Sequence, residues 1–238
     1  NLHNIKCREA KINVYKDKDA IIISPFSAEA AGGKIEFRTK IDFRANKKII
    51  NIDLNSVNLA EIRDQLDLKD RLLAGTLSLH AYVENDDVQG WRYSKGKGAV
   101  HVRNGNIWEI NLLGGVAEHL AIPYFESIYF VEGRGDLLFK DGNIFFEKIE
   151  LASSRLSFGG AGKISGSGNI HFMFFPEFHS DLISSSHKLE SIIKKFAGTG
   201  GLGIEVKGTL QKPTYKIKSV LFPPIEEFKS FLEGLMKQ

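Results

Sequence analysis

From Ile35 to Arg44 the chain alternates without a slip. Ile35, Phe37, Thr39, Ile41 and Phe43 are apolar or β-branched, and Glu36, Arg38, Lys40, Asp42 and Arg44 are all charged. Successive side chains of a strand point to opposite faces, so this segment buries one clean face only when extended. The same period of two runs through Ile50, Ile52 and Leu54 against Asn51, Asp53 and Asn55, and through Leu77, Leu79, Ala81 and Val83 against Thr76, Ser78, His80 and Tyr82. Further strands are expected at 12–15, 20–23, 98–103, 106–110, 129–140, 143–151, 156–158, 162–175, 203–208 and 214–217. Asn104-Gly105 and Asp141-Gly142 each sit between two strand-like runs, and both pairs accept the positive φ of a tight hairpin turn. The frame Gly98–Ile107 is echoed at Gly135–Ile144 and more loosely at Ser167–Ile170, which predicts a sheet grown by adding hairpins.

Three segments break this rhythm. Helices are expected near 57–66, with Asn58 as N-cap, near 180–197 and near 224–236, with a weaker candidate at 115–120. The polar stretch 84–96 reads as the longest loop. At 238 residues, 42% hydrophobic and 26% charged, the composition excludes collagen, low-complexity linkers and disordered tails. The expected fold is mainly β (α+β): one domain over 1–238, a strongly curved antiparallel sheet or half-barrel with two to four flanking helices.

Chemistry finds little foothold. The net charge of +3 does not argue for nucleic acid, and Cys7 is the only cysteine, so neither an internal disulfide nor a thiolate metal cage can form. Histidines stand at 3, 80, 101, 119, 171, 179 and 187, and none is spaced as HxH, HxxxH or HExxH. An enzyme would require His171, His179 or His187 to converge with carboxylates in a cleft. Gly198–Gly203 matches GxGxxG, but a helix precedes it and a strand follows, the reverse of a dinucleotide site. No catalytic residue, metal or cofactor is therefore assigned, and the chain is read as a non-enzyme.

The informative excess is in phenylalanine, 17 against 6 Tyr and 2 Trp. In Ile144–Phe146 and Ile170–Phe175 both faces of the strand are apolar, which a strand wet on one side does not need. Either helices cover the second face, or it lines a groove for something apolar.

The order of features over residues 10–218 resembles the AsmA-like family of bacterial envelope proteins. The resemblance rests on Ile21–Ile35 with its Gly32-Gly33, Val57-Asn58-Leu59 opening a helix, Leu73–Leu77, Gly96–Gly98, Asp141–Ile144, Leu151–Ile164 with Gly160 and Gly162, and Val206–Pro213. It implies an elongated, strongly bent sheet with a greasy inner surface, in a periplasmic protein tethered to the inner membrane through a segment outside this fragment. It also implies a share in carrying phospholipids toward the outer membrane, as for the related TamB-like and YhdP-like proteins. On this reading phospholipid acyl chains lie along alternate strand residues, with Phe37, Phe43, Leu79, Phe146, Phe172 and Phe174 as candidates. The alternative is a structural module assisting outer-membrane assembly, its apolar face closed by its own helices.

Overall fold

The computed structural model describes residues 6–67, 74–86, 90–106, 130–154, 156–180, 201–209, 212–220 and 231–236, with 183, 187, 190, 191, 193 and 194. Twelve strands follow one another: β1 (Cys7–Lys16), β2 (Ala20–Ala30), β3 (Gly33–Asp42), β4 (Lys47–Asn58), β5 (Ala74–Asn85), β6 (Ser94–Asn106), β7 (Phe130–Lys140), β8 (Asn143–Ala152), β9 (Leu156–Ile164), β10 (Asn169–Phe178), β11 (Gly201–Thr209) and β12 (Pro213–Val220). They form a single antiparallel sheet whose spatial order is the chain order. The sheet does not close, because among the described residues β1 pairs only with β2 and β12 only with β11. Register shifts in β2 between Ile23 and Phe26, in β4 between Leu54 and Val57 and in β8 between Phe146 and Ile149 bend it. The curved, open antiparallel sheet is the expected fold class.

Register carries one apolar face across the whole sheet. One row runs Phe26, Phe37, Ile52, Ala81, Gly98, Leu137, Phe146, Gly162, Phe172, Val206, Tyr215, and its neighbour runs Ala28, Ile35, Leu54, Leu79, Val100, Gly135, Ile149, Gly160, Phe174, Ile204, Ile217. The opposite face carries rows such as Glu36, Asp53, His80, Ala99, Asp136, Lys148. Large and small residues interlock on the apolar face, since Gly96 and Gly98 oppose Phe139 and Leu137, while Val100 and Val102 oppose Gly135 and Gly133. At Gly162 a Cβ would lie 2.2 Å from Phe172 Cδ1, and at Gly160 one would lie 2.7 Å from Phe174 Cδ1. The two glycines are the floor on which these rings rest.

The turns follow the sequence unevenly. Asp141 and Gly142 adopt φ of 51° and 76° and make the expected hairpin between β7 and β8. Ala31 and Gly32, at 48° and 68°, make an equivalent turn between β2 and β3 that the alternation did not signal. Asn104-Gly105 makes no hairpin. Asn104, at φ 49°, lies inside β6 opposite a register shift at Gly75, where φ is 111° and a Cβ would sit 2.7 Å from Gly105 Cα. A positive φ serves a bulge as well as a turn, and here it serves the bulge. The strand expected over 162–175 is two, because the chain reverses at 165–168, where Ser165 N bonds Asn169 O.

Only short helices are seen among the described residues, and the two to four flanking helices expected are not confirmed. α1 (Leu59–Gln65) matches the helix expected at 57–66, and the Asn58 side chain accepts from the amides of Ala60 and Glu61. Residues 231–236 are helical, as are the described positions between 180 and 194, inside the other two expected helices. The expected strand at 106–110 (beyond Asn106) and helix at 115–120 lie outside the described residues.

The densest core sits at the β8–β12 end, where Leu151, Leu156, Phe158, Ile170, Phe172, Phe174, Ile204 and Val206 are buried with Phe130. Ile193, from the 180–194 segment, packs on it. The 231–236 helix lies on the opposite face. Phe231 meets the His171 ring edge-on at 5.0 Å, and Lys163 Nζ donates to the Leu235 carbonyl at 3.3 Å. There Phe145, Ala161, Met173 and Leu235 are buried, so the doubly apolar strands β8 and β10 have cover on both sides.

Candidate apolar groove

Five of the six residues singled out from the sequence share the apolar face. Phe37, Phe146 and Phe172 fall in one row, Leu79 and Phe174 in the adjacent row. They are not equivalent. Phe37, Leu79 and Phe146 are half-buried, whereas Phe172 and Phe174 are 3% and 1% exposed and belong to the core. Their rings stack at 5.8 Å with 7° between planes, and Phe172 continues to Phe146 at 5.6 Å. The aromatic row therefore runs from an open stretch into a sealed one. Phe43 leaves the face altogether: β3 ends at Asp42, and Phe43 stands 56% exposed in the β3–β4 turn. Asp42 accepts from Ala45 N at 2.9 Å, ending the strand two residues before the alternation does.

Sequence reasoning passed over Phe26, Ile52 and Leu54, which share the face and are half-buried like Phe37. The alternation that marked Phe37 marked Ile52 and Leu54 too, and weighting phenylalanine hid them; Phe26 lies beyond the strand expected at 20–23, where no alternation signals it. From β2 to β8, six inter-strand steps of about 4.8 Å give an apolar path of roughly 29 Å. One acyl chain spans about half of a bilayer's ~30 Å hydrocarbon layer, so the path has the length for it.

The other face is a mesh of ion pairs. Lys47 and Lys95 reach Glu84 at 2.6 and 3.2 Å, Arg134 and His101 both reach Glu132 at 2.7 Å, and His80 meets Asp53 at 2.5 Å. Such exposed pairs add little stability each and mainly keep this face in water. The exception is Glu205, 7% exposed, which holds His171 Nε2, Lys207 Nζ and Lys218 Nζ at 2.9 Å each. Burial opposes its charge, but hydrogen bonds from Lys218, Lys207 and His171 win and hold the carboxyl down at about 2. Burial likewise pushes His171 below its usual value, outweighing the pull of Glu205.

Of the histidines an enzyme reading names, His171 and His187 each meet one carboxylate and His179 is exposed. His171 lies under Phe231 against Glu205, while His187 pairs with Glu190 three residues on, in an exposed position. Among the described residues no three His, Cys, Asp or Glu side chains are placed to hold a metal ion. A cavity of about 890 Å³ opens at the α1 end of β1–β4, lined by Arg8, Lys11, Lys34, Glu29 and Glu61 among others, a mixture of both charges. No described helix is long and apolar enough to cross a membrane. No family model, curated protein or solved structure matches this chain.

Proposed function

We propose that the chain is a lipid-handling module of a bacterial envelope protein, holding phospholipid acyl chains on the apolar face of its sheet during passage from inner to outer membrane. The observation that carries this reading is the apolar face over β2–β8, where Phe26, Phe37, Ile52, Leu54, Leu79 and Phe146 are half-buried around the buried Ala28, Ala81 and Leu137, set against a charged opposite face. A soluble sheet that needed only a core would seal that face, as β8–β12 do. Each methylene removed from water is worth about 0.8 kcal/mol, so a few carbons give useful and reversible affinity. The resemblance to AsmA-like proteins points the same way, to a periplasmic site and an inner-membrane tether.

The buried Phe172 and Phe174 support a second, local role. The β8–β12 end is a closed structural block, and acyl chains bind between β2 and Phe146. Native mass spectrometry of protein purified without detergent should find copurified phospholipid. F37D and L79D, on half-buried positions, should lose it while keeping the far-ultraviolet spectrum of the parent. A lipid-free spectrum, with no uptake of labelled phospholipid from vesicles, sinks the proposal.

A further inference from the structure

All odd-to-even connections of the meander end at one rim: turns 17–19, 43–46, 141–142 and 165–168, with the described residues 86, 90–93 and 212 of the other two. Consecutive turns are tied together. Phe43 N donates to Asp19 O at 2.8 Å, and Asn46 Nδ2 to Asp86 O at 3.4 Å. Ser94 receives Asp141 N on its carbonyl at 2.8 Å and Gly142 N on its hydroxyl at 3.0 Å. Asn85, only 1% exposed, donates its amide to Gly90 O. This braced edge displays Phe43, Trp91 and Tyr93 at 56%, 52% and 55% exposure. Exposed rings gathered along one edge mark an interaction surface, whereas rings scattered singly do not.

Cations accompany the rings. Lys48 Nζ stands 4.8 Å from the centre of the Trp91 ring, Arg44 follows Phe43, and Arg92 lies between Trp91 and Tyr93. Of the rim's acids, Asp42, Glu84 and Asp86 are tied to Lys40, Lys47 and Lys95 within the protein, while Asp17, Asp19 and Asp141 sit in the neighbouring turns 17–19 and 141–142. Tryptophan and tyrosine beside lysine and arginine are the side chains that settle at a bilayer's interface, rings at the head-group level and cations on phosphate.

We propose that this rim is a membrane-docking edge. It seats Phe43, Trp91 and Tyr93 in the interfacial layer of a bilayer containing anionic phospholipid, with Arg44, Lys48 and Arg92 against the phosphates. The docking edge is separate from the groove and stands whether or not the groove holds lipid.

The test uses the full chain and vesicles of phosphatidylcholine with or without phosphatidylglycerol. A W108F background leaves Trp91 as the sole tryptophan. Phosphatidylglycerol vesicles should pull the protein down and shift Trp91 emission to the blue, and F43A/W91A/Y93A, read by co-sedimentation, should abolish the association. R44Q/R92Q should weaken partitioning about 30-fold at low salt, with about 1 kcal/mol lost per cation, and less at high salt. F37D/L79D should co-sediment like the parent. Failure of the parent to bind these vesicles overturns the inference, as does binding undiminished in both rim variants. So does binding lost in F37D/L79D, which would assign the association to the groove instead.

Discussion

Gly162 offers the sharpest test of how this sheet packs. Its absent Cβ would stand 2.2 Å from Phe172 Cδ1, 2.5 Å from Phe172 Cγ and 2.6 Å from the His171 carbonyl, whereas ordinary contact begins at 3.4 Å. G162A therefore forces the Phe172 ring outward by about 1.2 Å, out of its stack on Phe174 and its contact with Phe146. Overpacking of a tight core costs roughly 1–3 kcal/mol and a lost aromatic pair roughly 0.5–1.5 kcal/mol, while removing a glycine from the unfolded chain returns roughly 0.4–1 kcal/mol. The net expectation is a loss of about 2 kcal/mol, or about 4–8 °C in melting temperature for a chain of this size. Gly159 is the internal control, because it lies in the same strand on the opposite face with nothing within 4 Å of its Cβ position. G159A should be neutral or slightly stabilising. Urea unfolding of both variants checks the pair, and G162A repeated in an F172A background isolates the ring. The ring contacts vanish there but the His171 carbonyl remains, so roughly half the cost should persist. Equal midpoints for G162A and G159A, or a G162A cost unchanged by F172A, would refute the idea that glycine makes room for the aromatic row.

Further outcomes separate the parts of the molecule. F172A should cost about 3–5 kcal/mol, as expected for a ring 3% exposed, while F43A should stay within about 0.5 kcal/mol; comparable losses in denaturant titrations would undo the division between core and rim. Acid should destabilise the β10–β12 end. Glu205 is held at about 2 against an ordinary 4.5, so its contribution is complete above 4.5 and drains away as pH falls toward 2. His171, pushed below its ordinary 6.5, binds its proton more readily in the unfolded chain and begins to cost stability once pH drops through 6.5. E205Q should flatten the fall in urea midpoint between pH 4.5 and 2 relative to the parent; parallel profiles would show that Glu205 is not its source.

The strands and their wet and dry sides were legible in the sequence because alternation of side chains along an extended backbone is a local property. Ile35–Ile41 and Leu77–Val83 needed no partner to declare which residues face the core. Asn58 declared its helix for the same reason, since a cap bonds amides two and three residues away. What lies beyond a strand's own neighbours was decided by the tertiary structure. Positive φ suits both a hairpin and a bulge, so the local sequence at Asn104-Gly105 predicts a turn, whereas β5 and β7 pair on either side of it and make it a bulge. Phenylalanine spacing placed Phe37 and Phe172 on one face without separating them. Only the rings packed over Gly160 and Gly162, with Ile193 against the same core, bury Phe172 and leave Phe37 half open. Burial depends on what the rest of the chain lays over a side chain, and no local pattern records that.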